Sequence, residues 1–145
     1  MNIRPVELRD IEEIHAIQSA SPELAQWTVS DYARVAQGEM IGWVAEEDAG
    51  VAGFLVARRV ASDFEILNFA VRREARRHGI GAALLRESLA WGRTFGAERA
   101  FLEVRASNLT ALRFYEHHGF QVTGRRPRYY SGPLEDAFVL SLALE

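Results

Sequence analysis

The chain has 145 residues, of which 48% are hydrophobic and 26% charged, a balance typical of one globular domain, and we expect a single domain over residues 1–145. All 17 residues of the Lys+Arg total are arginine, which excludes a pyridoxal Schiff base, a Walker phosphate-binding lysine and a kinase ATP lysine. The absence of cysteine removes thiolate nucleophiles, disulfides and cysteine-bound metals. A net charge of −3 argues against a dedicated nucleic-acid-binding protein.

No segment approaches the ~20 apolar residues of a membrane span, and the N-terminal residues lack the apolar run of a signal peptide. We therefore expect a cytoplasmic protein without membrane contact, either a monomer or a weak homodimer. No metal-ligand spacing is present around the histidines, so no metal is expected.

The first 40 residues predict a short strand and two helices. A strand is expected over 2–7. Asp10 and Glu13 have the spacing of a capping box, followed by an apolar face of Ile11, Ile14 and Ile17. Thr28 and Asp31 repeat that spacing for a second helix, which Gly38 is placed to end.

The remaining residues predict strands with two helices between them. Strands are expected over 41–46, 51–60, 64–71, 100–105, 120–129 and 137–144, and helices over 79–95 and 108–118. A run of strands followed by two strand–helix units implies an α/β (α+β) protein with a mixed sheet and helices on both faces. The strand–helix junctions at 69–82 and 103–115 are the expected ligand cleft.

Residues 69–82 combine the end of an apolar strand, four arginines within six residues, and two glycines that open an amphipathic helix. Free N–H groups at a helix start, together with the helix dipole, favour a bound phosphate. A Rossmann fingerprint would need a third glycine where Leu84 stands, and a P-loop would need lysine. A plain helix start with solvated arginines remains an alternative.

The segment 76–81, Arg-Arg-His-Gly-Ile-Gly, matches the R/Q-x-x-G-x-G/A signature of the GNAT N-acetyltransferase superfamily. Segments 65–71, 102–108, 114–120, 126–130 and 135–137 together resemble its RimI type, the ribosomal-protein-alanine N-acetyltransferases. The resemblance implies a GNAT-like, mostly antiparallel sheet of about seven strands, splayed between the fourth and fifth strands. It also implies acetyl-CoA as co-substrate, lying in the wedge between those strands.

Several cofactor contacts follow from this resemblance. The strand before the glycine loop is expected to contact the pantetheine arm, the loop amides to hold the pyrophosphate, and an asparagine to hold the cofactor arm. The residues concerned are Phe69, Ala70, Val71, Arg76, Arg77, His78, Gly79, Ile80, Gly81, Ala82 and Asn108.

The same resemblance implies Glu103 as general base and Tyr115 as general acid toward the departing thiolate. From the residues alone, Glu103 is equally an ordinary solvent-facing strand residue. Tyr115 is equally a half-buried packing residue and Asn108 a helix N-cap, although their spacing of seven places both on one helix face.

On the acceptor side, Trp27, Tyr129, Tyr130 and Asp136 are expected to contact the substrate, although Gln26 replaces the proline that commonly precedes that tryptophan. The resulting hypothesis is direct acetyl transfer to the N-terminal alanine of a small-subunit ribosomal protein, whose N-terminal segment is the partner. Another N-terminus, a lysine or a small amine remains an alternative acceptor. A non-catalytic acyl-CoA-binding module is the other alternative.

Overall fold

The computed structural model describes residues 1–144. In chain order its strands and helices are β1 Asn2–Pro5, α1 Ile11–Ser19, α2 Val29–Ala36, β2 Ile41–Glu47, β3 Gly50–Val60, β4 Asp63–Val71, α3 Ile80–Thr94, β5 Arg99–Arg105, α4 Leu109–His117, β6 Gln121–Tyr130 and β7 Glu135–Ala143. Short 3-10 turns cover Leu8–Asp10 and Arg73–Ala75. The predicted order of elements is confirmed, with bounds that differ by a few residues.

The strands form one seven-stranded sheet in the order β1-β2-β3-β4-β5-β7-β6. All neighbours are antiparallel except β4 and β5, which are parallel and pair only over Asp63–Glu65 against Arg99–Phe101. Within the described residues, segment 66–71 of β4 then pairs only with β3, and segment 102–105 of β5 pairs only with β7. The predicted splay between the fourth and fifth strands is therefore confirmed, and it opens a wedge in the middle of the sheet.

Helices cover both faces of the sheet, as predicted. One core contains Leu84 of α3 and Leu112 of α4 against Leu102 of β5. The other contains Ile14 of α1 and the apolar side chains of α2 and β3. Each fully buried aliphatic side chain contributes about 1.5–3 kcal/mol, so the two cores hold both walls of the wedge in place.

The start of α1 differs from the prediction. The expected capping box of Asp10 and Glu13 is wrong. Asp10 is instead the N3 residue of a capping box whose N-cap is Glu7, three residues earlier. Two nitrogens of Arg4 hold the Asp10 carboxylate at 2.8 Å each, and such charge-assisted bonds are stronger than a neutral cap. Glu13 instead accepts a hydrogen bond of 2.9 Å from the Val51 backbone N–H.

Candidate active site

The loop between β4 and α3 presents a run of free main-chain donors. Within residues 1–144, the N–H groups of 77–82 have no protein acceptor, and backbone bonding resumes where Ala83 donates to the Gly79 carbonyl at 3.0 Å. Gly79, the N-cap of the 15-residue α3, has φ +79, and Arg77 has φ +68. Successive free amides at the positive end of a long helix form an anion site.

The two glycines of this loop serve different purposes. Gly79 needs its left-handed backbone conformation, which side chains disfavour. Gly81 has no such requirement, and a Cβ atom added there would come no closer than 3.6 Å to the side chains of Phe114 and Val71. The packing of the protein itself therefore does not require glycine at position 81. The open space beside this residue is consistent with a ligand that approaches the loop from the wedge.

The arginines give the loop a positive surface. Arg76 turns back onto β4, where its Nε donates to the Val71 carbonyl at 3.1 Å, and Arg72 pairs with Glu13 at 3.5 Å. Arg77 is exposed and has no ion-pair partner in the part of the chain that the structure describes. Positive charge is thus available beside the free amides.

Tyr115 of α4 lies in an aromatic cluster at the wedge. Its ring centroid is 6.3 Å from that of Phe69 on β4 and 5.5 Å from that of Phe120, and the residue is 7% exposed. Burial raises the pKa of the Tyr115 phenol, and no neighbouring charge offsets the effect. The phenol therefore keeps its proton at neutral pH, the state that a proton donor needs.

Asn108 is the N-cap of α4, as its alternative interpretation predicted: its Oδ1 accepts a hydrogen bond from the Ala111 backbone N–H at 3.2 Å. The turn before it is fixed from β7, because Glu135 accepts from the Ser107 backbone N–H at 2.7 Å and from Arg105 at 3.2 Å. The cap uses only the amide oxygen of Asn108, so the amide nitrogen can still donate to a ligand.

Glu103 lies on β5 beyond the point where β4 diverges, on the face opposite Leu102 and Val104. It is not freely solvated, because its side chain is 15% exposed. The Tyr129 hydroxyl donates to Oε1 at 3.2 Å. The other oxygen, Oε2, is buried and lacks a hydrogen bond, although Nε of Arg126 lies 2.8 Å away. The contact with Arg126 is therefore an ion pair whose donor is poorly aligned.

The tyrosine pair of β6 covers this carboxylate. Tyr129 is 50% exposed. Burial, followed by the charge of Glu103, raises the pKa of Tyr130 to about 12, and the Arg105 guanidinium lies 4.3 Å from the centre of its ring. The structure thus brings Tyr129, one of the predicted acceptor-side residues, into contact with the predicted base, and Tyr130 contacts Arg105 instead.

Asp136 has a different environment. Its carboxylate accepts hydrogen bonds from the Arg128 backbone N–H at 2.9 Å and from Nε of Arg125 at 2.7 Å, and these bonds hold the pKa of Asp136 below its usual value. Both oxygens are engaged within the β6–β7 hairpin, where Asp136 fixes the irregular register between Arg126 and Tyr130.

A buried polar network near Trp27 escaped the sequence analysis. The Gln18 side chain bonds both backbone groups of Trp27, at 2.9 and 3.0 Å, and accepts from the Tyr32 hydroxyl. Asn68 of β4 donates to that hydroxyl at 2.7 Å and to the Ala25 carbonyl at 3.2 Å. Asn68, a polar residue within the apolar segment 64–71, is the sequence feature that could have indicated this network. The network fixes the α1–α2 loop against the strand that lines the wedge.

Within residues 1–144, no group of three or more potential ligand side chains could hold a metal ion. No helix of that part of the chain is both long and apolar enough to cross a membrane.

Comparison with known proteins identifies the family. Residues 8–120 match the model of the acetyltransferase (GNAT) family. A Bacillus subtilis protein with the provisional name [ribosomal protein bS18]-alanine N-acetyltransferase is 32% identical over 95% of this chain and 92% of its own length. An N-alpha-acetyltransferase of Sulfurisphaera tokodaii is 28% identical over 98% of this chain and 92% of its own.

A solved structure with a similar fold is also an N-acetyltransferase, as the two sequence relatives are. The ribosomal-protein-S18-alanine N-acetyltransferase of Escherichia coli superimposes with a TM-score of 0.88 at 26% identity, covering 99% of this chain and 94% of that chain. The chain belongs to the GNAT family of N-acetyltransferases. Its relatives of the RimI type share the fold and the length of this chain.

Proposed function

We propose that the chain is an acetyl-CoA-dependent Nα-acetyltransferase that modifies the N-terminal alanine of a small-subunit ribosomal protein. The observation that carries the proposal is the pair Glu103 and Tyr115 at the wedge, one a carboxylate with an unbonded buried oxygen and the other a phenol kept protonated by burial. The bS18-alanine N-acetyltransferases among the relatives supply the acceptor.

Acetyl-CoA is the proposed co-substrate. The free amides of 77–82 bind its pyrophosphate, with Arg76 or Arg77 adding charge. The edge of β4 that faces away from β3 at Phe69–Val71 offers main-chain groups to the pantetheine arm, because β5 has separated from that edge. The Val71 carbonyl is already bonded to Arg76, so Phe69 and Ala70 are the main candidates. Asn108 contributes its amide nitrogen from the start of α4.

The chemistry is a direct transfer. The acceptor α-ammonium gives one proton to Glu103, and the neutral amine attacks the thioester carbonyl. As the C–S bond breaks, the leaving thiolate takes a proton from Tyr115, and the second proton, which the nitrogen loses on becoming an amide, restores the Tyr115 phenol. Glu103 then releases its proton to solvent, so that one proton is released for each acetyl group transferred. Reaching the neutral nucleophile costs about 3 kcal/mol less for an α-amine, with a reference pKa of ~8, than for lysine at ~10.4. A carboxylate is a sufficient base for an N-terminus.

The test is to incubate the protein with acetyl-CoA and a peptide carrying the alanine N-terminus of the ribosomal protein, reading thiol release and peptide mass. We expect a single acetyl group on the α-amine. Glu103→Gln and Tyr115→Phe should each lower kcat by about 100-fold or more, with Arg113→Gln on the exposed face of α4 as control. Unchanged rates in both variants would remove the proposed roles.

A second candidate keeps the chemistry and changes the acceptor. The N-alpha-acetyltransferase of Sulfurisphaera tokodaii, 28% identical to this chain, supports another protein N-terminus as the acceptor. A panel of peptides that differ only in the first residue separates the two candidates. Rates that fall at least tenfold for every residue other than alanine support the narrow function, and similar rates for several residues support the broad one.

A further inference from the structure

Oε2 of Glu103 is a buried carboxylate oxygen that has a neighbouring cation but accepts no hydrogen bond within residues 1–144. Among side-chain atoms of residues 1–144, it is the one buried oxygen or nitrogen without a hydrogen bond. A buried carboxylate oxygen without a donor is costly. The charge of Arg126 lies 2.8 Å away, but its N–H is not directed at the oxygen.

Arg126 reaches Glu103 across an intervening strand. Glu103 pairs with Val139 of β7, and Arg126 pairs with Ala137, two residues before Val139 and on the same face. Arg126 itself is 56% exposed, and its guanidinium lies 5.8 Å from the centre of the Tyr129 ring. The cation is therefore held by its charge and by one aromatic ring, without a directed hydrogen bond to Glu103, and more than half of its side chain faces solvent.

From these contacts we propose that Arg126 is a resident cation that occupies the acceptor-ammonium position at Glu103 until a protein N-terminus displaces it. An α-ammonium is compact and carries three N–H donors. It can therefore direct one donor at Oε2, which the guanidinium does not do. The exchange replaces one ion pair by another, so the carboxylate is not left without a counter-charge. This inference rests on the proposed function.

Arg126 is thus a specificity-determining residue rather than a catalytic one. Its charge competes with the ammonium of the acceptor and has no effect on a peptide whose terminus is neutral. Removing the charge should strengthen binding of an amine-bearing peptide and leave the neutral peptide unchanged. A purely structural role in the hairpin would change both peptides alike.

The test is a binding cycle that needs no turnover. Dissociation constants are measured by calorimetry, with CoA present, for an Ala-starting peptide and for the same peptide with hydrogen in place of its α-amino group. The proteins are the wild type, Arg126→Gln, Arg126→Lys and Glu103→Gln. Arg128→Gln serves as the matched control, since it removes the same charge from the same hairpin.

We expect Arg126→Gln to bind the amine peptide at least fivefold more tightly and the neutral peptide with unchanged affinity. Arg128→Gln should behave as the wild type. Arg126→Lys keeps the charge and carries an ammonium that can direct a donor at Oε2, so it should bind the amine peptide no more tightly than the wild type. Glu103→Gln should lose the preference for the amine.

Equal shifts for both peptides in Arg126→Gln, or no shift for either, would overturn the inference while leaving acetyl transfer to the α-amine intact. Failure of either peptide to bind any of the proteins would overturn the inference together with the proposed acceptor. Binding as expected without acetyl transfer in the turnover assay would support the inference and contradict the proposed function.

Discussion

The two residues assigned to proton transfer have opposite environments. Glu103 has a cation and a phenol against its carboxylate, whereas Tyr115 is surrounded by the rings of Phe69, Phe114 and Phe120. Apolar contacts favour the neutral phenol of Tyr115, which is the state that a proton donor needs before the reaction. The polar contacts of Glu103 instead fix the position of its carboxylate beside the acceptor residues of β6.

The burial of Tyr115 makes a prediction about its ionisation. Because burial raises the pKa of this phenol above its usual value near 10, Tyr115 should stay protonated through the range in which exposed tyrosines ionise. Absorbance at the tyrosinate wavelength should therefore rise equally in the wild type and in Tyr115→Phe up to about pH 10.5. A smaller rise in the variant below that pH would contradict the description of the phenol as buried and protonated.

Alanine should be tolerated at position 81 of the glycine loop. Gly81→Ala places a methyl group where the nearest protein atoms are 3.6 Å away, so the fold should be unchanged or stabilised by about 0.5–1 kcal/mol, as for other helical Gly→Ala changes. Because the matched signature admits glycine or alanine at this position, acetyl-CoA binding should be retained. Calorimetry measures the binding, and denaturant unfolding measures the stability.

Gly79→Ala is the matched comparison. Its φ of +79 imposes strain on any side chain, at a cost of about 1–2 kcal/mol. The variant at 79 should therefore lose stability and, because the strained loop no longer presents its free amides in the same way, should also bind acetyl-CoA more weakly, whereas the variant at 81 should keep both properties. Normal acetyl-CoA binding by Gly79→Ala would contradict the placement of the pyrophosphate on this loop.

The α1–α2 loop depends on one side chain. Gln18→Leu would leave both bonded backbone groups of Trp27 without their partner, at a cost of about 1–3 kcal/mol each when buried. Amide hydrogen exchange at Trp27 should accelerate markedly. Tyr32→Phe is the milder control, because it keeps the Gln18 bonds to Trp27. Unchanged exchange in Gln18→Leu would show that the loop is held by packing alone.

At the scale of the whole molecule, an ion cluster couples stability to pH. Burial alone raises the pKa of Asp10, but hydrogen bonds from Arg4 and from the Glu7 backbone N–H outweigh it, so the pKa lies below its usual value. The stabilisation is therefore complete above the unfolded value near 3.9 and is lost as pH falls through the folded value. Asp10→Asn should be less stable than the wild type at pH 7 and should lose less stability on acidification, as measured by urea unfolding at pH 7, 4 and 3. An equal loss in both proteins would contradict this.

Local patterns were enough to predict the order of strands and helices. The apolar face of α1, the Thr28–Asp31 capping box and the position of Gly38 after the second helix are confirmed. These features depend on residues close together in sequence. The splay of the sheet was predicted from the family resemblance and not from periodicity.

Contacts between distant residues could not be predicted in the same way. The pairing of Glu103 with Arg126 depends on the register across β7 and on the irregular stretch that precedes Tyr130. The Arg4 bonds that draw Asp10 out of its predicted cap come from β1, and the Gln18–Asn68 network joins residues 50 positions apart. No short-range spacing determines these partners.

The central claim is that main-chain amides around Gly79 and Gly81 hold the cofactor while its acyl carbon lies between Glu103 and Tyr115. A crystal structure with CoA and an Ala-starting peptide tests it most directly. We predict pyrophosphate oxygens within hydrogen-bond distance of the 77–82 amides, the sulfur atom beside the Tyr115 hydroxyl and the α-amine beside Oε2 of Glu103. A pyrophosphate bound away from that loop, or an α-amine remote from Glu103, would contradict the account.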